Sequence, residues 1–181
     1  MVLKKINFFV ISFLSYLFFI PLESEEISLP DPEAYLEVAS NKTQVPNPNQ
    51  KSFIITDNTS FIKNFKAGDK GITFTAIIDG IYLIGSGVQV GILNPKVSGY
   101  IDVWFELNGA PIPATNSRQY ISQSAEVALM TNAFLIELKN GDVFSIGFSA
   151  SGPEIGIVAF TNLPNNEPDI VSIGISLFKI Y

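Results

Sequence analysis

The segment Gly80–Gly91, with the sequence GIYLIGSGVQVG, decides the fold and raises its main question. Branched apolar residues are typical of a strand, yet four of these twelve residues are glycine, which costs backbone entropy and leaves nothing to pack. Alternate residues form one face that suits a core: Tyr82, Ile84, Ser86, Val88 and Val90. The opposite face is nearly flat around Gly85 and Gly87. Either another surface approaches this face closely or the strand bends at a sheet corner, and spacing alone leaves both open.

The composition favours a β-protein with one compact domain. Of 181 residues, 47% are hydrophobic and 15% charged, which is enough apolar material for a sizeable core. Fifteen Phe and six Tyr favour strands, and thirteen Gly and eleven Pro supply frequent turns. No run of ten or more residues after Pro21 has a clean helical apolar stripe. The sequence therefore predicts an all-β fold.

Short apolar runs recur between turn signals such as Asn108-Gly109 and Asn140-Gly141-Asp142. The runs are Ser52–Thr56, Phe61–Phe65, Ile72–Ile78, Ile81–Gly91, Tyr100–Leu107, Glu126–Leu138, Val143–Ser149, Ile155–Phe160 and Ile170–Ile180. In the clearest of them, Val103, Phe105 and Leu107 alternate with Asp102, Trp104 and Glu106. Strands of this kind bury one face, and we predict an antiparallel two-sheet sandwich.

Trp104 stands on the polar face of its predicted strand, which is an unusual place for the only tryptophan. Aromatic residues are enriched at subunit interfaces, so the pattern predicts an interface anchor. The alternative is a reversed assignment of the two faces, with Trp104 in the core.

Charge and missing residue types exclude several kinds of function. The net charge is −6, and Lys4-Lys5 is the only adjacent basic pair, so the chain lacks the clustered charge of a nucleic-acid binder. The absence of cysteine excludes disulfides and thiolate metal sites, and the absence of histidine removes the usual base for a serine nucleophile. Asp102 and Glu106 share a strand face but lie roughly 13 Å apart, too far for a paired-carboxylate hydrolase. We predict no enzymatic activity and no catalytic residues.

The sequence also predicts no cofactor and no metal ion. The one segment that offers clustered oxygen ligands for calcium is Asn162–Asp169, with the sequence NLPNNEPD. An Asn- and Pro-rich turn is the commoner explanation of such a segment.

The pattern of the N-terminal residues is typical of an export signal. Lys4 and Lys5 precede an apolar run from Ile6 to Leu22, and acidic residues follow it. The run fits a cleaved signal peptide over residues 1–24, an uncleaved membrane anchor or a buried core helix, and we predict one hydrophobic helix here. In the first two cases the positive charges keep the N-terminus inside, so the rest of the chain is secreted or displayed at the cell surface.

Residues 25–50 contain four prolines between Pro30 and Pro48, and we predict a stalk or lead-in segment, followed by the β-domain over residues 51–181. The sequons Asn41-Lys42-Thr43 and Asn58-Thr59-Ser60 make Asn41 and Asn58 candidate glycosylation sites on the surface of an exported chain.

Four segments, in order, resemble the jelly-roll domain shared by the complement component 1q globular head and the tumour necrosis factor ligands. They are DGIYLIGSGVQV with Gly80 and Tyr82, VWFELNGAPI with Asn108 and Gly109, FLIELKNGDVFSIGF with Leu138, Gly141 and Asp142, and SIGISLFKIY. The resemblance covers roughly Ser52 to Tyr181. The Phe-rich C-terminal signature of complement heads and a collagen-like stalk are both missing, and PDIVSIGISLFKI resembles versions of the domain in bacterial and viral surface proteins.

The resemblance implies a ten-stranded jelly roll that forms a homotrimer about a three-fold axis. It places Leu83, Gly85 and Gly87 near that axis, which favours an interface over a strand corner as the reason for the glycines. The function implied is recognition or adhesion, by loops that bind a protein or a glycan. The alternative is a structural surface, virion or tail component in which the domain is a trimerising cap, and a retained N-terminal segment would give a membrane-anchored ligand.

Overall fold

A computed structural model of the chain describes residues 32–94, 96–122 and 127–181. The thirteen strands found in these ranges account for almost all of the regular structure. They are β1 (Tyr35–Ser40), β2 (Ser52–Phe53), β3 (Asn58–Lys63), β4 (Phe65–Ala67), β5 (Thr73–Ala76), β6 (Gly80–Ile92), β7 (Gly99–Leu107), β8 (Ala110–Pro111), β9 (Ser117–Ile121), β10 (Val127–Leu138), β11 (Val143–Ala150), β12 (Ile155–Ile157) and β13 (Ile173–Lys179). Single turns of 3₁₀ helix occur at Asp69–Gly71 and Pro164–Asn166.

The strands form two antiparallel sheets. The first has the order β10-β6-β13-β1-β3, with β12 also paired to β6. The second has the order β4-β5-β11-β7-β8, with β2 paired to β11 and β9 to β7. This is the predicted all-β, two-sheet sandwich, and it confirms the fold class.

The core lies between the sheets and is formed by the apolar faces that the alternation predicts. Tyr82, Ile84, Val88 and Val90 of β6 are at most 1% exposed. Val103 and Phe105 of β7 are equally buried, and Phe105 stacks on Phe144 of β11 with a 5.4 Å centroid distance. Trp104 is half-buried on the opposite face of β7, so the alternative with Trp104 in the core is wrong.

The predicted domain boundary and the predicted number of strands each need a correction. The segment 25–50, predicted as a stalk or lead-in, contains β1, which lies between β13 and β3 and whose Leu36 and Val38 are fully buried. The sandwich therefore takes in residues before 51, since burial of one face of β1 outweighs the prolines on either side of it. The resemblance implied ten strands, whereas the described residues contain thirteen, among them β2 and β8 of two residues each. The predicted N-terminal helix lies outside the described residues.

Turns at one end of the sandwich use the predicted residues. Asn108 and Gly109 both have positive φ, of 53° and 81°, between β7 and β8, and Gly141 has φ 93° between β10 and β11. Among the residues that the structure describes, none form a helix long and apolar enough to cross a membrane.

Candidate functional site

The outward surface of the first sheet is flat where β6 runs between β10 and β13. Residues directly opposite each other on paired strands share a face. The outward side chains of β10, β6 and β13 in this area therefore form three rows. The rows are Leu135–Leu83–Phe178, Ala133–Gly85–Ser176 and Thr131–Gly87–Gly174. We call this surface the glycine face. Two of its three rows carry no side chain larger than threonine.

Neither backbone conformation nor packing within the chain explains Gly85. Its φ is not in the left-handed region, and an added Cβ meets no atom within 4 Å. At Gly87 an added Cβ reaches only Leu129 Cδ1 at 3.6 Å, an ordinary contact. The pairing of β6 with β10 and β13 runs through both glycines without a register shift, so the strand does not bend as it does at a bulged corner. The space over these glycines is open to another molecule.

Large apolar side chains border this flat area. Leu129 and Leu135 of β10 are 67% and 61% exposed, and Leu83 is 41% exposed. A contiguous apolar surface of this kind typically marks an interaction site in a soluble protein. Gly91 differs from Gly85 and Gly87, because it is buried under Val158, whose Cγ2 lies 3.0 Å from the position of an added Cβ.

Trp104 does not join Leu83, Gly85 and Gly87, since it lies on the outward face of the second sheet. There its indole lies over Gly147 of β11, and an added Cβ at Gly147 lies 2.5 Å from Trp104 Cε2. Trp104 Nε1 donates to Glu106 Oε1 at 2.7 Å, and Lys51 Nζ pairs with the same oxygen at 2.7 Å. The predicted interface role of Trp104 remains a prediction, and it concerns a different surface from that of the other three residues.

The sequence alone does not single out Arg118 of β9, which shares the outward face of the second sheet with Trp104. Arg118, the only arginine, forms two hydrogen bonds to Asp102, of 2.8 Å from Nε and 2.7 Å from Nη2. Its guanidinium carbon lies 3.8 Å from the centroid of the Tyr100 ring. These hydrogen bonds raise the pKa of Arg118 above its already high ordinary value. The strand register brings Arg118 opposite Asp102, and alternation within β7 alone does not reveal that register.

The remaining predicted residues lie on the surface. Asn58 is exposed at the start of β3, and Asn41 is half-buried just after β1. In the Asn162–Asp169 segment, Asp169 Oδ1 accepts a hydrogen bond from Asn162 N at 3.2 Å. Within the described ranges, no three His, Cys, Asp or Glu side chains are grouped as a metal site.

A shallow cavity of about 430 Å³ lies beside the last residue, Tyr181, and is lined in part by Asp79, Glu137, Lys139 and Lys179. Lys139 pairs with Glu137, and Lys179 pairs with Glu33 at 2.5 Å. The carboxylates that pair with these two lysines are mostly exposed, so this surface presents acceptors beside its donors.

Comparisons with known proteins identify the fold. No protein-family model matches the chain, and no curated protein matches it. The globular domain of zebrafish complement 1qA protein matches 82% of this chain and 98% of its own, with a TM-score of 0.55 and 14% identity. Crystal structures of murine APRIL at pH 5.0 and pH 8.5 each match 81% of this chain and 98% of their own, with TM-scores of 0.53 and identities of 14% and 12%. The chain therefore shares the jelly-roll fold of these structures, which confirms the predicted resemblance at the level of the fold.

Proposed function

We propose that the chain is an exported, non-enzymatic recognition or adhesion module that assembles as a homotrimer through the glycine face. In this assembly the loops remain free to bind a protein or a glycan. The observation that carries the proposal is the open space over Gly85, which no contact within the chain requires. A glycine that costs backbone entropy and is not needed by its own fold is explained if a second surface packs against it.

Apolar burial supplies the driving force for this assembly. Leu83, Leu129 and Leu135 each leave between 41% and 67% of their accessible surface in water. Covering one such leucine stabilises the assembly by about 1 kcal/mol, because a fully buried leucine contributes about 1.5–3 kcal/mol. In a trimer the leucines of the three subunits are buried against one another. The small residues between these leucines let the backbones of neighbouring subunits approach closely.

The experiment compares the mass of the purified chain Glu25–Tyr181 with that of Gly85→Phe by light scattering. We expect the unaltered chain to be a trimer. We expect Gly85→Phe to be a monomer with unchanged β-content, because a phenyl ring at this position meets no atom of its own chain at Cβ. Lys66→Phe is the matched control, because it adds the same ring on an exposed residue of β4 in the other sheet.

Two results contradict the proposal. One is a trimeric Gly85→Phe protein, and the other is an unaltered chain that stays monomeric at high concentration. If Lys66→Phe also dissociates the trimer, the effect of the added ring is not specific to the glycine face.

Export rests on the N-terminal sequence, in which Lys4 and Lys5 precede the apolar run. N-terminal sequencing of the product recovered outside the cytoplasm separates the two modes of export. A start near Glu25 indicates a cleaved signal, and an intact Met1 indicates an anchor. A product that stays in the cytoplasm contradicts this part of the proposal.

A further inference from the structure

The outward face of the second sheet carries the only tryptophan and the only arginine of the sequence. We call it the tryptophan patch and define it by Lys51, Phe53, Asp102, Trp104, Glu106 and Arg118. The absence of a side chain at Gly147 lets the indole lie against the sheet, and its Nε1 is already bonded to Glu106. Trp104 therefore presents an aromatic surface with no unsatisfied polar atom of its own.

Two cations lie on the same face of the sheet as the indole, and each is held by a carboxylate and an aromatic ring. Lys51 Nζ pairs with Glu106 at 2.7 Å and lies 4.6 Å from the centroid of Phe53. Arg118 pairs with Asp102 at 2.7 Å and stacks on Tyr100. Asp102 and Glu106 are two residues before and after Trp104 on β7, so each carboxylate lies about 7 Å along the strand from the tryptophan. The positions of both cations are fixed before any ligand arrives.

The patch exposes hydrogen-bond donors, while its carboxylate acceptors are buried. The Glu106 side chain is fully buried and that of Asp102 is 11% exposed, whereas the Lys51 and Arg118 side chains are each 43% exposed. Asp102 uses two of the five N–H groups of the guanidinium, and the Tyr120 hydroxyl lies close enough to engage another. A ligand that matches the patch must supply an apolar face for the indole and anionic oxygens for the cations.

We propose that the tryptophan patch binds an anionic saccharide, with a pyranose face on the Trp104 indole and its carboxylate on Arg118 or Lys51. The aliphatic C–H groups of a sugar ring carry partial positive charge and pack on the negative face of the indole. A neutral sugar offers only hydroxyl oxygens to the N–H donors that Asp102 and Glu106 leave unused, and it finds no well-exposed carboxylate to accept from its own hydroxyls. A rigid ring also loses less conformational freedom on binding than a flexible acidic peptide does.

The site lies on the sheet opposite the glycine face and does not depend on trimer formation. Occupancy is measured by the fluorescence of Trp104, which as the only tryptophan reports this surface alone. The probes are glucuronate and N-acetylneuraminate, glucose as the neutral counterpart and a short glutamate-rich peptide. We expect the anionic sugars to bind the unaltered protein at least about tenfold more tightly than glucose, because a carboxylate adds charge-assisted hydrogen bonds.

The variants test the named residues. We expect the variant that removes the cation holding the carboxylate, Arg118→Gln or Lys51→Gln, to weaken glucuronate binding. Lys66→Gln removes an exposed cation from β4, outside the patch, and leaves binding unchanged. Circular dichroism confirms that each variant is folded. If a variant does not fold, the comparison of glucuronate with glucose on the unaltered protein still tests whether the patch prefers an anionic sugar.

Three outcomes overturn the proposal: no fluorescence change with any sugar at millimolar concentration, equal binding of glucose and glucuronate, or tighter binding of the acidic peptide. The last outcome assigns the patch to a protein partner. The mass of each variant is measured in parallel, so that a failure of trimer formation is recorded separately from a failure of saccharide binding.

Discussion

At the scale of single residues, Gly147 and Trp104 form a matched pair across β11 and β7. The indole occupies the space that any other residue at position 147 fills with its Cβ. The indole N–H also caps one oxygen of the buried Glu106 carboxylate, which keeps a charged group satisfied away from water. The sequence shows that Trp104 stands on the polar face of its strand, but only the register with β11 shows why a glycine is needed opposite it.

We expect Gly147→Ala to lower the free energy of unfolding by about 1–3 kcal/mol, because the added methyl group displaces the indole from the sheet. Urea denaturation followed by circular dichroism measures the change. Gly152→Ala is the control, because an added Cβ there makes only an ordinary 3.4 Å contact with Ile155 Cδ1 and φ is not left-handed. Equal losses for the two variants mean that the indole does not depend on Gly147.

At the scale of elements, two hairpin turns are joined by one carboxylate. Asn108, in the turn between β7 and β8, donates from Nδ2 to Asp142 Oδ1 at 2.8 Å. Lys139 N, at the end of β10, donates to Asp142 Oδ2 at 2.8 Å. The Asn108 side chain and then the Lys139 backbone N–H hold the pKa of Asp142 below its ordinary value. The ionised form is therefore favoured in the folded chain.

This lowered pKa predicts a dependence of stability on pH with a definite sign. A carboxylate with a lower pKa in the folded state contributes stability above its unfolded pKa of about 3.9, and this is lost as pH falls through the folded value. We expect Asp142→Asn to be less stable than the unaltered chain at pH 7 and the difference to shrink below about pH 4. The difference is measured from the urea concentration at the midpoint of unfolding of each protein, between pH 2.5 and pH 7.

The control for this prediction is Asp69→Asn, which removes the same charge from an exposed residue in a 3₁₀ turn. We expect only a small change at every pH. A loss of stability in Asp142→Asn that is the same at acid and neutral pH contradicts the role given to the ionised carboxylate.

The sequence predicts those strands whose two faces differ clearly in polarity. Alternation in β6 and β7 identified the core faces, because burial of one face imposes a period of two. It did not identify β9, whose residues Ser117, Arg118 and Gln119 are polar, and it left β1 as a possible lead-in between prolines. Both strands are defined by their neighbours in the sheet, which spacing along the chain does not encode.

At the scale of the whole molecule, the two candidate surfaces lie on opposite sides of one sandwich. The glycine face belongs to the first sheet and the tryptophan patch to the second. Assembly through the first surface leaves the second facing away from the neighbouring subunits. A trimer of this kind presents three copies of the patch, and three weak sites that engage one multivalent ligand bind it more tightly than one site does.

Trimer formation predicts that thermal stability depends on protein concentration. When three folded subunits dissociate as they unfold, each tenfold rise in concentration adds about 2.7 kcal/mol per trimer, or about 0.9 kcal/mol per subunit. For a domain of this size we expect the midpoint temperature Tm to rise by about 2–4 °C for each tenfold step. Scanning calorimetry over a hundredfold range measures it.

Gly85→Phe separates this effect from simple aggregation. We expect the Tm of this variant to be independent of concentration, because its subunits unfold one at a time, while Lys66→Phe follows the unaltered chain. A constant Tm for the unaltered chain means that the subunits do not associate when folded. A slope retained in Gly85→Phe means that they associate through a surface other than the glycine face, because a phenyl ring at Gly85 leaves no room for a subunit packed against β6.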